Sequence, residues 1–151
     1  MSDEIKIHGY IEVRVLDPTG DLKDFRRTPN LIVTEGFDHY LDAQFIADAT
    51  RPLQGTWLGI GTVATSLNES DSALEGEIER MGGTYSHTNN TKSGTVAFTW
   101  QAGGTIGPWA IKEMALFDAF TSGTMICRGT FATVNKGTAD TFEAKYIHTL
   151  S

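Results

Sequence analysis

The sequence predicts a mainly β protein: an antiparallel β-sandwich or jelly-roll-like domain with one principal α-helix, at about residues 35–48. Three observations predict it. Residues 96–116 read as an apolar strand, a glycine-rich corner and a second strand. Val96, Phe98 and Trp100 alternate on one face of the first, and Ile111, Glu113, Ala115 and Phe117 share a face of the second. Residues 5–16 alternate in the same way, with Ile5, Ile7, Ile11, Val13 and Val15 on one side and Gly9 interrupting. The apolar period lengthens to three or four residues in one clear place, at Phe37, Tyr40, Leu41, Gln44 and Phe45.

The elements follow in order. After the first strand, Asp17-Pro18-Thr19-Gly20 is a turn, because Pro18 fixes φ at its second position and Gly20 suits its last. Residues 22–27 return as a hairpin strand, which Thr28-Pro29-Asn30 should break. Leu31-Ile32-Val33 is a brief apolar run. Thr34 is the expected N-cap of the helix, and Glu35 and Asp38 suit the positive end of its dipole. The helix's apolar stripe should cover an open end or face of the sandwich. Residues 57–62 form a short buried strand, and residues 71–80 are expected as a helical turn with Leu74 and Ile78 inward. Residues 82–101 read as a hairpin of a polar and an apolar strand. Strands at 125–131 and 141–150 follow, with a loop at 134–140 between them. About seven or eight strands result, within a single domain spanning 1–151 whose residues 1–8 form an extended N-terminal arm.

Length and charge narrow the function. A chain of 151 residues can bury a sizeable core. Its net charge of −7 argues against duplex DNA or an anionic membrane as the main partner. Met-Ser-Asp-Glu is acidic where a secretion signal would be basic, and no run approaches the roughly 20 apolar residues of a membrane span. The single cysteine, Cys127, cannot form an intrachain disulfide and reads as a small buried hydrophobe.

No motif marks a reaction centre. Gly59-Ile60-Gly61 lacks the third glycine and the long helix of a dinucleotide site, so it reads as glycines for a tight turn. His8, His39, His87 and His148 are not at metal-ligand spacing. The acids at 35–42 and 69–79 read as solvated faces, without the regular loop of a calcium site. Neither catalytic residue, cofactor nor metal is expected. Glu113 stands out as an acid at an inward position, which needs a partner; Arg128 on the neighbouring strand, or Arg80, is the candidate.

Asn30 to Gly36 ahead of the helix, then residues 57–62, then Ala73-Leu74-Glu75-Gly76-Glu77-Ile78-Glu79-Arg80, then Ile111-Lys112-Glu113-Met114-Ala115-Leu116-Phe117-Asp118, resemble in that order a group of tailed-bacteriophage virion proteins. Ala115 departs from the pattern, which has glycine there. The resemblance implies a non-enzymatic particle component: a capsid decoration (cement) protein, with the major capsid protein and two further copies of itself as partners. It would be assembled in the host cytoplasm and end on the capsid surface. A tail, baseplate or fibre component is the alternative. The expected interface residues are Trp57, Trp109 and Phe120 as apolar anchors, together with Glu113 and Arg128; for Glu113 a structural ion pair or an exposed rim position is the main reading and an intersubunit contact the alternative. From a different class, a carbohydrate-binding jelly roll would use Trp57, Trp100 or Trp109 as a stacking platform beside Glu113.

Overall fold

The computed structural model describes residues 6–46, 53–100 and 107–151. Ile5, residues 1–5 of the expected arm, residues 47 and 48 of the expected helix and the glycine-rich corner at 101–106 lie outside the described residues.

Ten strands and one helix are described. The strands are β1 (Ile7–Leu16), β2 (Leu22–Pro29), β3 (Leu31–Ile32), β4 (Trp57–Gly61), β5 (Glu77–Gly82), β6 (Thr84–His87), β7 (Ser93–Trp100), β8 (Trp109–Phe117), β9 (Met125–Lys136) and β10 (Thr141–Leu150); α1 is Thr34–Phe45. They build two five-stranded sheets, β2-β1-β10-β7-β6 and β3-β9-β8-β4-β5, antiparallel throughout. The chain changes sheet four times: between β2 and β3 at one edge, between β5 and β6 at the other, and between β7 and β8 and β9 and β10 within the sheets. The expected antiparallel β-sandwich is therefore what forms.

The alternating strands fill the space between the sheets. Ile11, Val13 and Val15 of β1, Val96, Phe98 and Trp100 of β7, and Phe142, Ala144 and Tyr146 of β10 meet Leu58, Ile60, Ile111, Met114, Leu116 and Val134 of the other sheet. A second apolar cluster, Val33, Leu74, Ala115, Phe117 and Met125 with Trp57 against it, lies apart from that core. The segment between β4 and β5 supplies its Leu74. The two glycines at 59 and 61 have negative φ and make room rather than turn. A Cβ at Gly59 would meet Phe117 at 2.9 Å and Leu74 at 3.0 Å, and one at Gly61 would meet Gly76 O at 2.8 Å.

Several expectations change. Residues 71–80 form no helical turn. Glu77–Gly82 is a strand in register with β4, because pairing of its backbone with β4 outweighs the weak local period of Leu74 and Ile78. β2 runs through Pro29, which a strand at the sheet edge tolerates, and β9 runs on to Lys136 instead of stopping at 131. Glu113 does not share a face with Ile111. The register of β8 and β9 shifts between Ile111 and Glu113, so Ile111, Met114 and Leu116 join the central core while Ala115 and Phe117 join the second cluster. Val33, not Thr34, occupies the N-cap position and makes no side-chain cap; the Thr34 N–H instead donates to Glu69 O at 2.8 Å. The described part of the expected arm is not free. Lys6 and Ser151 exchange backbone hydrogen bonds of 2.7 and 2.9 Å, and β1 begins at Ile7 opposite Leu150.

Cys127 is fully buried, and burial pushes its thiol up to about 12. A water-soluble thiol reagent is therefore expected to leave the folded protein unlabelled at neutral pH and to label it only in denaturant. Fast labelling of the native chain would contradict the core assignment.

Candidate functional site

Helix α1 sits at the end of the sandwich where β1 begins and β10 ends. A helical residue advances by about 100°, so Gly36, Tyr40 and Ala43 form one face and Phe37, Leu41 and Phe45 the next. The first face packs inward. Gly36 is the only buried residue of the helix, and a Cβ there would lie 2.0 Å from Ile126 O, so the missing side chain brings the helix backbone onto β9. Tyr40 packs against the central core, with its hydroxyl 3.4 Å from that of Tyr146. The second face does not pack. Phe37 is 45 % exposed, Leu41 59 % and Phe45 83 %. The apolar stripe expected to cover the sandwich is thus turned largely to solvent, because the smaller face carrying Gly36 allows the closer approach.

Phe37 and Leu41 of the exposed stripe, with Tyr40 and Gln44, form one wall of an open groove of about 880 Å³. Lys6 and, from β1 and β10, Ile7, His8, His148 and Leu150 line the opposite side. A contiguous exposed apolar surface of this kind is a candidate contact site. On its outer side the stripe is followed by acid. Glu35, Asp38 and Asp42 line a second hollow together with Asp118 and Thr124. Beyond it, the same 118–124 loop carries Phe120, which is 56 % exposed and lies 5.3 Å from the Trp57 ring. Arg80 fixes that loop. Its guanidinium stacks 3.4 Å above the Phe117 ring, pairs with both carboxylate oxygens of Glu77, and donates to Ala119 O and Ser122 O.

Glu113 and Arg128 pair within the chain. Both are fully enclosed, and Glu113 Oε2 accepts from Arg128 Nε at 3.1 Å and Nη2 at 2.8 Å. Glu113 Oε1 accepts the Gly76 N–H at 2.9 Å. Arg128 also donates to Asp71 Oδ2 at 2.8 Å and Thr65 Oγ1 at 2.9 Å. Burial opposes the charge of Arg128, yet the hydrogen bonds to Asp71 and Glu113 and their charges outweigh it and hold its pKa above the ordinary value. The network pins the 62–76 segment to β8 and β9. Of the two candidates the sequence offered for Glu113, the structure selects Arg128; Arg80 serves Glu77 and the 118–124 loop.

The three tryptophans named for a stacking platform have different surroundings. Trp100 is completely buried between Phe98 and Phe142. Trp57 and Trp109 are half-buried, so Phe120 alone among the three expected anchors is exposed. Trp109 lies at the far end, by Lys23 and Lys136. Among the described residues no three His, Cys, Asp or Glu side chains are grouped to hold a metal ion, and no helix is long and apolar enough to cross a membrane.

His148 lines both the groove and a smaller apolar hollow of about 250 Å³ on the other side of Tyr40. Burial, then the charge of His87, lowers its pKa below 6.5. The unfolded chain therefore binds a proton more readily than the folded one, and this site's contribution to stability is lost as pH falls through that window. Wild type should melt at lower temperature near pH 5 than near pH 7, and His148→Gln should flatten that part of the profile in scanning calorimetry. An unchanged slope in the variant would assign the effect elsewhere.

The groove escaped the sequence reading although its helix stripe did not. The helix was expected, but which of its faces touches the sheet depends on Gly36 meeting Ile126, a contact across 90 positions of chain that no local period encodes. No protein-family model matches this chain, and neither does any curated protein or solved structure.

Proposed function

We propose that this protein is a non-enzymatic structural component of a tailed-bacteriophage particle. It is a capsid decoration protein that docks as a trimer on the major capsid protein of the head through the α1 end of the sandwich. One observation carries the docking part: an unpacked apolar stripe, Phe37, Leu41 and Phe45, on a domain whose core is otherwise filled. The order of short motifs along the chain supplies the phage assignment. The filled inter-sheet space and the internal pairing of Glu113 with Arg128 leave that carboxylate committed to structure.

Apolar anchors repeated over three subunits bind firmly in sum even when each is weak. Binding the assembled shell but not its dissociated subunits stabilises the shell by mass action. In this reading Phe120 is a second anchor beside the acidic strip, and Trp57 supports it from behind.

The test is to locate the chain on purified virions by antibody labelling and image averaging, together with sedimentation of the free protein. Label spread over the head and a trimeric mass are the expected results. Label confined to the tail would replace decoration with a tail or baseplate role, and absence from the particle would end the virion reading.

A further inference from the structure

We propose that the α1 groove seats an amphipathic segment of a second protein, one whose apolar side chains recur at helical spacing and whose flank carries lysine or arginine. The inference rests on the reading that the α1 end is the docking surface, and it adds the chemistry of what docks there.

Phe37 and Leu41, one turn apart, line the groove, and Phe45 carries the exposed stripe one turn further, past the lining. That repeat matches the apolar face of another helix, which lays side chains at the same spacing between them. Ile7 and Leu150 supply the facing wall. Among the described residues the groove's own lining holds Lys6 and no carboxylate. The acids stand outside it, along the outer side of the stripe. Asp38 and Asp42 follow one another along the outer side of the stripe, with Glu35 at the helix start, and all three are exposed. Among the described residues none of the three has a basic side chain within ion-pairing distance. Asp118 adds a fourth carboxylate to the hollow they line, where His39 stands 3.9 Å from it. An occupant that covers Leu41 and Phe45 lays its outer flank along these carboxylates, and a basic outer flank is what satisfies them, while its inner flank passes Lys6.

The same charges disfavour the other occupants. A second copy pairing its α1 antiparallel with this one by a two-fold would bring Asp38 and Asp42 against their own counterparts, like against like. An anionic lipid surface meets the same repulsion from a chain of net charge −7.

Two synthetic helical peptides test this, identical in their leucine positions, one with lysine and the other with glutamate at the flanking positions. Fluorescence anisotropy with the full chain should show the lysine peptide binding about tenfold tighter, with the difference shrinking at high salt. Leu41→Ser, at an exposed position that leaves folding intact by circular dichroism, should weaken the lysine peptide about tenfold. Asp38→Asn with Asp42→Asn should bring the two peptides to within about twofold of each other.

Equal binding of both peptides by the parent chain overturns the proposal, as does lysine-peptide binding indifferent to Leu41→Ser. So does self-association that depends on Leu41 in sedimentation, which would make a second copy the occupant. The two readings fail separately. Leu41-dependent binding to phage heads without peptide discrimination keeps the docking end and removes the basic partner. Discrimination by a chain that labels no virion keeps the basic partner and removes the phage particle.

Discussion

Arg128→Met is expected to lower the free energy of unfolding by about 3 kcal/mol, the low end for breaking a buried ion pair. The substitution leaves Glu113 enclosed with one N–H donor, from Gly76, where it had three. The low end applies because a single segment of chain, carrying Thr65 and Asp71, lies over the guanidinium, so water is near once that segment loosens. In urea the midpoint should fall with an unchanged slope. The double variant Glu113→Gln, Arg128→Met should be less destabilised than the sum of the two single ones, because it leaves no unpaired charge. A loss under about 0.5 kcal/mol for Arg128→Met would mean the pair is solvated and the 62–76 segment is held by Leu74 instead. Because Glu113 and Arg128 are enclosed, either substitution should act on shell binding only through stability.

Gly36→Ala is expected to destabilise by about 2–3 kcal/mol, the range of an overpacked contact. Two effects oppose each other. Alanine favours a helix over glycine by about 1 kcal/mol. The new Cβ, however, would stand 2.0 Å from Ile126 O and 2.8 Å from its carbonyl carbon, and a strand backbone in mid-sheet cannot step aside as a side chain can. The clash wins, and α1 moves away from β9. Asp42→Ala, exposed on the same helix, should change stability by less than about 0.5 kcal/mol and serves as the control. Since the groove is built from α1 on one side and β1 and β10 on the other, Gly36→Ala should also weaken any docking that uses Leu41. A variant as stable as the parent would show that the helix seat is loose.

Both predictions concern places where distant segments meet, and there the sequence reading divides. Strands whose faces alternate strictly were legible: β1, β7 and β10 hold their apolar residues where a period of two puts them. The helix was legible from its period, and Glu113 from being a lone acid in an apolar strand. The β5 segment was not, since Leu74 and Ile78 fit a helical turn as well as a strand until β4 pairs with it. The switch of faces in β8 was also hidden, because it arises from a register shift against β9 that leaves no mark in β8 alone.

By itself, then, the sequence determined a sandwich of alternating strands, a single helix and the need for a cation beside Glu113, because side-chain period and charge act along the chain. Only the tertiary structure decided which helix face stays open, which arginine answers Glu113 and where the acids stand relative to the apolar stripe. Those outcomes depend on how closely two backbones approach, and that distance is set by what residue lies opposite, far away in the chain.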